Sequence, residues 1–264
     1  MNKFINGFLI AVLFTSCSEY QKALKSEDPA VKLIAATHKY DKQKYNKAIR
    51  LFEQIAPAYR GKSDAEDMFY KYAQSYYKTE QFYLASYQFE SFNALYPKSK
   101  FAEEAAFLGA KSTSELSPVY SLDQGDTEKA IDKLQNFINR YPNSAYLPEA
   151  NKIMAGLQYK LEKKSFEIAK QFNTISDYKA AIKAFENFIV DYPGTTFKEK
   201  ALFYKFDSTY QLAINSIHNK MQERLNDAKT AYNALMKFKA DTEYKKQADQ
   251  ILVRIEKDLQ QFQK

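Results

Sequence analysis

The stretch that decides the fold is Phe69-Tyr70-Lys71-Tyr72-Ala73-Gln74-Ser75-Tyr76, which is followed by Ala85-Ser86-Tyr87-Gln88-Phe89 and then by Tyr96-Pro97. Large aromatic side chains recur at helical spacing in both segments, and each segment includes a small residue. The small residues let two helix backbones approach, the rings fill the space between them, and the proline ends the second helix. The pattern therefore predicts a pair of packed helices with a short connection.

The same order of residues occurs five times in the chain. The small residue is Ala48, Ala85, Ala130, Ala181 and Ala228 in turn. The residues four positions later are Phe52, Phe89, Leu134, Phe185 and Tyr232, and those seven positions later are Ile55, Phe92, Phe137, Phe188 and Leu235. A proline follows at twelve positions in the three middle segments, as Pro97, Pro142 and Pro193. This spacing resembles the tetratricopeptide pattern. We expect an all-α, tetratricopeptide-repeat (TPR-like) solenoid of about five helical hairpins over residues 29–264, in which stacking joins the apolar faces into one core.

Two departures from the repeat are visible in the sequence. Residues 115–126 contain a proline and a glycine and have no helical period, so we expect an insertion within the third repeat, between its two helices. The last predicted helix, residues 242–262, is rich in charged residues and is typical of a solvent-facing cap at the end of a solenoid.

Composition excludes some classes of protein. The 264 residues are 45% hydrophobic and 16% aromatic, with only six glycines and seven prolines, which favours a largely helical chain with a substantial core. The formal net charge is +7, but lysines and arginines are interspersed with acidic residues. We therefore expect no nucleic-acid partner, because such a surface needs basic residues concentrated on one face.

The N-terminal residues predict export and lipidation. Residues 1–16 contain Lys3 and an apolar run from Phe4 to Phe14, which is the length of a secretory signal peptide and too short to span a bilayer. Small residues lead to Cys17, the one cysteine of the sequence. This ending resembles the signal of bacterial lipoproteins, which implies acylation of Cys17 with chains such as palmitate, a lipidated tether over residues 17–28 and attachment to a membrane. The alternative is an incidental cysteine in an ordinary signal peptide.

The sequence offers no pattern for catalysis or for a cofactor. The two histidines, His38 and His218, lie at opposite ends of the chain, and no metal-ligand spacing occurs. The six glycines form neither a phosphate-binding loop nor a dinucleotide fingerprint. We therefore expect a protein that is not an enzyme and that binds no cofactor or metal.

A binding surface is predicted on the first helix of the repeats. If Phe69, Tyr72, Ala73 and Tyr76 form the core, the opposite face of that helix carries other side chains, several of them tyrosines suited to partner contact. With the equivalent face of the first repeat, the predicted peptide-binding groove consists of Leu33, Thr37, Tyr40, Asp67, Tyr70, Gln74 and Tyr77. The alternative is that these tyrosines only pack against neighbouring helices.

Longer segments support a more specific resemblance. Residues 122–130, leading to Phe137-Ile138-Asn139-Arg140-Tyr141-Pro142-Asn143-Ser144, and residues 162–169, leading to Asp191-Tyr192-Pro193, are similar to the BamD family of outer-membrane lipoproteins. The resemblance covers most of the mature chain. It implies a non-enzymatic scaffold of the β-barrel assembly machinery, anchored in the outer membrane and facing the periplasm.

The same resemblance implies two kinds of protein partner. These are a BamA-like barrel-forming subunit and unfolded outer-membrane proteins. The alternative function is a periplasmic TPR adaptor that coordinates peptidoglycan synthesis or cell division, since such adaptors share the Tyr-Pro-x-Ser turns. Lipidation at Cys17 and the insertion at 115–126 favour the first function.

Overall fold

The computed structural model describes residues 19–262, so the signal peptide and Cys17 lie outside the described residues. All regular secondary structure within this range is helical. A short helical segment over residues 19–25 precedes the main helices. These are α1 (Pro29–Asp41), α2 (Tyr45–Tyr59), α3 (Glu66–Lys78), α4 (Phe82–Leu95), α5 (Ala102–Ser114), α6 (Gly125–Arg140), α7 (Leu147–Thr174), α8 (Tyr178–Asp191), α9 (Lys198–Ile214), α10 (His218–Phe238) and α11 (Lys245–Leu259). Short 3₁₀ turns occupy Ser63–Ala65 and Gln260–Phe262.

The helices form two compact units. Among the described residues, the first consists of 19–118 with Asp123–Leu157, and the second of Val119–Leu122 with 158–262. In the first unit α1 packs on α2, α3 on α4 and α5 on α6, and each pair also contacts the next. In the second unit α8 packs on α9 and α9 on α10, while α11 packs on α10. Each unit is therefore a stack of helical hairpins.

The repeated alanines lie in the packed interior. Ala48, Ala85, Ala130, Ala181 and Ala228 are all fully buried. The side chains four residues later are also fully buried in the first four repeats, where they are Phe52, Phe89, Leu134 and Phe185. A small residue that lets two backbones approach, followed one turn later by a large ring, gives the dense packing of a protein interior. The predicted core pattern is confirmed at these positions.

The turns between the two helices of a repeat share an unusual backbone conformation. Gln43, Glu80 and Ser176 follow α1, α3 and α7, and each has a positive φ, of 55°, 58° and 64° respectively. A residue in the left-handed region commonly ends a helix, and glycine is the residue that adopts this conformation without steric cost. The chain uses ordinary side chains there, which leaves a local strain in three equivalent turns.

The insertion within the third repeat is shorter than expected. Helix α6 begins at Gly125 rather than after residue 126, because the Asp123 carboxylate accepts a hydrogen bond from the Gly125 amide at 2.9 Å. Within the second unit, the Lys163 ammonium lies 4.2 Å from the centre of the Tyr120 ring, and Lys164 donates to the Leu122 carbonyl at 2.6 Å. Residues 119–122 are thus held against α7.

The C-terminal cap begins later than predicted. Helix α11 starts at Lys245, because residues 242–244 form a turn that is bonded to α9. Val253 on α11 is 66% exposed, whereas Ala248 and Ile255 are fully buried. The helix therefore has one packed face and one open face, as a terminal helix of a stack requires.

Candidate peptide-binding site

The seven predicted groove residues lie on two neighbouring helices of the first unit. Leu33, Thr37 and Tyr40 are on α1, and Asp67, Tyr70, Gln74 and Tyr77 are on α3. Asp67 is exposed, and Tyr70 is buried. The remaining five are half-buried, and Leu33 also packs against the apolar core of the first two repeats.

Three of these residues form a continuous line of hydrogen bonds. The Tyr40 hydroxyl donates to the Gln74 amide oxygen, and the Gln74 amide nitrogen donates to the Tyr70 hydroxyl at 2.6 Å. Burial raises the pKa of Tyr40 to about 12. Burial, followed by a hydrogen bond to the Glu104 carboxylate, raises the pKa of Tyr70 well above its usual range. Both phenols therefore stay protonated at neutral pH, and the line runs from α1 through α3 to Glu104 on α5.

Asp67 belongs to a separate, solvent-exposed ion pair. Its carboxylate lies 2.8 Å from the Lys71 ammonium, one helical turn away on α3. The same ammonium lies 5.7 Å from the centre of the Tyr40 ring. Exposed pairs of this kind stabilise a fold only slightly. Asp67 and Lys71 therefore place one negative and one positive charge beside the line of hydrogen bonds.

Tyr77 leads to a second polar cluster on the same face. Its ring packs edge-on against Phe82 and Phe89, with centroids 6.0 and 6.4 Å away. Lys111 on α5 donates to a Glu149 carboxylate oxygen on α7 at 2.6 Å. The pKa of Lys111 is raised, first by this bond to Glu149 and to a smaller extent by Tyr77. The face thus continues from α3 onto α5 and the start of α7.

Sequence reasoning missed Glu104, Lys111 and Glu149. The repeat register could have identified two of them, because Glu104 and Lys111 lie 37 residues after Asp67 and Gln74, at the equivalent positions of the next repeat. The groove prediction stopped at the second repeat and did not extend the same register to α5. Thr37 is half-buried on α1, and none of the hydrogen bonds that define this line involves it.

The ring of Tyr70, one of the residues predicted to line the groove, is buried, as the packing alternative requires. Its side chain is only 6% exposed. Its ring stacks on Phe101 with centroids 4.2 Å apart and planes 6° from parallel, and it also contacts Phe92 at 5.7 Å. The ring is therefore part of the core, and only the hydroxyl reaches the polar line. The reason is that a first helix inside a stack packs against its own partner and against the next repeat.

The stack of Tyr70 on Phe101 is one of four equivalent pairs. Each pair joins the first helix of a repeat to the start of the following one. The others are Phe107 with Tyr146 at 4.7 Å, Phe166 with Phe197 at 5.1 Å, and Phe203 with Tyr244 at 4.2 Å, all within 20° of parallel. The second ring always lies two residues after the Ser or Thr of the turn between repeats, as in Tyr96-Pro97-Lys98-Ser99-Lys100-Phe101.

A hydroxyl–carboxylate bond reinforces three of these junctions. Ser99 donates to Glu66, Ser144 to Glu103 and Thr242 to Glu199, each at 2.5 Å. Each glutamate lies four residues before the stacked ring, so the ring and the carboxylate are on the same side of the helix. At the remaining junction Glu162 has the equivalent position, but among residues 19–262 it makes no hydrogen bond with Thr195. We call the stacked ring and the hydroxyl–carboxylate bond together the junction clasp.

Two other kinds of site are absent from residues 19–262. In the part of the chain that the structure describes, no helix combines the length and apolarity needed to cross a membrane. In the same part, no three His, Cys, Asp or Glu side chains are grouped so that they could hold a metal ion.

Known proteins that resemble this chain agree on one family. A family model described as YfiO, outer membrane lipoprotein, matches residues 27–225. The outer membrane protein assembly factor BamD of Caulobacter vibrioides is 24% identical over 87% of this chain and 75% of its own length. BamD of Pasteurella multocida is 20% identical over 79% of this chain and 84% of its own length.

Among solved structures, TPR-like repeats of a Podosopora anserina kinesin light chain align with 81% of this chain and 99% of that one, at 14% identity and a TM-score of 0.33. The repeat packing described above, and not that alignment, supports the TPR-like assignment. The family model covers well over half of the sequence, and the resemblance to BamD seen in the sequence is confirmed. The chain belongs to the YfiO family of outer membrane lipoproteins, and the relatives it matches are BamD assembly factors.

Proposed function

We propose that this protein is a lipid-anchored, non-enzymatic scaffold that assists the assembly of β-barrel proteins at the periplasmic face of the outer membrane. The observation that carries the proposal is the family match over residues 27–225, with relatives named as outer membrane protein assembly factors. The alternative of a cell-wall or division adaptor is not favoured, because those relatives are assembly factors. Acylation at Cys17 would hold the chain at the membrane.

We assign the binding of substrate segments to the polar line, which is the hydrogen-bonded series Tyr40, Gln74, Tyr70 and Glu104 on α1, α3 and α5. An unfolded barrel protein offers extended backbone with free amide and carbonyl groups. The Gln74 side chain can form more hydrogen bonds than the two it makes here, because an amide has two N–H donors and two acceptor lone pairs. Its geometry is already fixed by Tyr40 and Tyr70, so binding would cost little side-chain entropy.

The polar clusters on either side would help to orient such a segment. Asp67 and Lys71 lie on one side of Gln74, and Lys111 with Glu149 lies further along the face. These mixed charges suit polar residues of a barrel strand, while the half-buried Leu33 and Tyr77 offer apolar contact to the alternate side chains. Extended segments are commonly held in this way, with backbone bonds for affinity and alternate side chains for specificity.

The proposed partners are a BamA-like barrel-forming subunit and unfolded outer-membrane proteins. Crosslinking in intact outer membranes, followed by purification of this protein, tests both. We expect a barrel-forming assembly subunit and immature barrel proteins to be recovered from wild type. Recovery of cell-wall synthases in place of both would overturn the assignment.

Substitution of one residue tests the binding face. Gln74→Ala removes the centre of the polar line, whereas Gln135→Ala removes an exposed glutamine that bonds only to Asn139 on α6. The probe is a fluorescent synthetic peptide that matches one strand of an outer-membrane barrel. Loss of one or two neutral hydrogen bonds should weaken anisotropy-measured binding about fivefold to tenfold in Gln74→Ala. Equal affinities in the two variants, both folded by circular dichroism, would remove this face from the proposal.

A further inference from the structure

An open cleft lies between the helical segment over residues 19–25 and α1. Its volume is about 430 Å³. Its charged lining consists of Lys22, Lys39 and one acidic residue, Glu19, with His38 beside them. Its apolar lining consists of Ala23, Val31, Ile34 and Ala35. Val31 is 44% exposed and Ile34 is 73% exposed, so these two side chains face solvent.

Tyr20 lines the same cleft and has an unsatisfied hydroxyl. The side chain is 96% buried, since only 4% of it is exposed. Its hydroxyl is the buried side-chain polar atom within residues 19–262 that lacks a hydrogen-bond partner. A buried polar group without a partner is destabilising, so such groups usually have a ligand or a water molecule.

Lys39 beside it is a buried residue whose ammonium forms no salt bridge. The residue is 4% exposed, and it forms no ion pair within 4 Å with any residue from 19 to 262. Its ammonium lies 5.6 Å from the centre of the Tyr20 ring, and the Lys47 ammonium lies 5.2 Å from the same centre. The two ammonium groups thus share the weak attraction of one ring.

The surrounding charges make the positive potential stronger. Burial lowers the pKa of Lys39, and repulsion from Lys44, Lys47 and Lys42 lowers it further, while Glu19 opposes them only weakly. Three further ammonium groups therefore lie close enough to act on Lys39. A bound anion would relieve the repulsion, and it would supply the partner that both the ammonium and the Tyr20 hydroxyl lack.

We propose that this cleft binds the phosphate of an anionic phospholipid, with Lys39 and Tyr20 on the phosphate and Val31 and Ile34 along the apolar part of the lipid. A free phosphate ester has the same charge but would leave the apolar lining uncovered. The position of the cleft favours a membrane ligand, because Glu19 is two residues beyond Cys17, and two residues of extended chain span at most about 7 Å. This argument from position rests on the proposed lipid anchor. The chemistry of the cleft does not depend on it.

Titration of a short-chain lipid into the non-acylated mature chain tests the proposal. The repeats begin at Pro29, so a chain that begins at Ser18 retains them. The probe is monomeric dihexanoyl phosphatidylglycerol, and glycerol phosphate is the comparison. We expect the lipid to bind at least about tenfold more tightly, since burial of two methylene groups suffices for that difference. Equal affinities for the two would overturn the assignment to a lipid.

Three variants locate the site. Lys39→Met keeps the aliphatic stem and removes the charge, and should weaken lipid binding about tenfold. Tyr20→Phe removes a hydroxyl that has no partner in the free protein, so it should fold normally and bind about fivefold more weakly. Lys246→Met is the control, because Lys246 is an exposed lysine far along the chain on α11.

Each result decides the matter. Weaker binding in both Lys39→Met and Tyr20→Phe, with Lys246→Met unchanged and the melting temperatures preserved, supports the site. If Lys39→Met does not fold, Tyr20→Phe alone carries the test. Equal binding by Tyr20→Phe and Lys246→Met would overturn the proposal. Failure here would leave the assembly function intact, since the barrel-strand peptide assay uses other residues.

Discussion

The junction clasp between α9 and α11 gives the sharpest prediction. The Glu199 carboxylate accepts from the Thr242 hydroxyl at 2.5 Å, from the Glu243 amide at 3.0 Å and from the Lys239 ammonium at 2.9 Å. Its side chain is 17% exposed and Thr242 is 4% exposed, so two of these bonds are shielded from water. Glu199→Ala removes all three and leaves the Thr242 hydroxyl without its acceptor.

The expected loss is about 2–3 kcal/mol. Hydrogen bonds to a charged group contribute about 1.5–3 kcal/mol each, but bonds that share one carboxylate do not add fully. The exposed Lys239 pair adds little. Because repeat arrays open locally from their ends, the loss should appear first in α11, as amide hydrogen exchange about 30- to 150-fold faster over residues 245–259.

Glu162→Ala is the matched control. Glu162 also lies four residues before a stacked ring, Phe166, but no hydrogen bond joins it to Thr195. We expect its exchange pattern to resemble that of wild type. The reasoning would be refuted if Glu199→Ala left amide exchange in α11 unchanged. It would also be refuted if Glu162→Ala accelerated exchange near its own junction as much as Glu199→Ala does in α11.

The same bond should depend on pH. The pKa of Glu199 is lowered mainly by the Thr242 hydroxyl and then by Lys239, although burial opposes the shift. A carboxyl whose folded pKa lies below its unfolded value of about 4.3 stabilises the fold above that value, and the contribution is lost as pH falls through the folded pKa. The difference in α11 protection between wild type and Glu199→Ala should therefore shrink below about pH 4.

Three further outcomes can be measured. Glu80→Gly should raise the free energy of unfolding, measured by urea titration, by about 1 kcal/mol. Glu80 is exposed and has a φ of 58°, and glycine adopts this positive φ without backbone strain. A lower free energy of unfolding would contradict this prediction. Lys111→Met should lower the free energy of unfolding by about 1 kcal/mol at neutral pH. Glu149 raises the pKa of Lys111, so this lysine stabilises the fold below its unfolded pKa and loses that contribution as pH rises through the folded value. The difference between wild type and variant should therefore vanish at high pH, and an equal difference at pH 12 would count against the pair. Cys17→Ser should move the protein from the membrane fraction to the soluble periplasmic fraction on cell fractionation, and unchanged membrane sedimentation would argue against acylation there.

The helical hairpins were predictable because their core repeats in the sequence. Ala85 and Phe89 have equivalents in every repeat, and helical spacing alone puts them on one face. The buried ring of Tyr70 was not predictable in this way. Spacing identifies the face that meets the partner helix of the same repeat, but Tyr70 packs against Phe101 in the next one. A second buried face appears only when the repeats are stacked.

The hydrogen bonds along the proposed binding face were not predictable from the sequence, for a related reason. Tyr40 and Gln74 are on the expected face and are joined by a hydrogen bond, yet they lie 34 residues apart in the sequence. Their contact follows from the stacking of α1 on α3 and not from any local pattern. The cleft at Tyr20 and Lys39 was not predicted, although Lys39, Lys42, Lys44 and Lys47 lie within nine residues, because the packing of Tyr20 against this lysine cluster is not visible in the sequence.

The junction clasp also determines where the chain can change length. The hydroxyl and the carboxylate are separated by 33 residues at Ser99 and Glu66, by 41 at Ser144 and Glu103, and by 43 at Thr242 and Glu199, and the bond is the same in all three. The extra residues lie between the two ends of the clasp, in the loop before α6 or in the longer helix α10. Segments between the two helices of a repeat can therefore lengthen without altering the stacking of repeats. For protein engineering, these intra-repeat turns are the places to introduce a fluorophore or an epitope tag, whereas the turns that carry the clasp should be left intact.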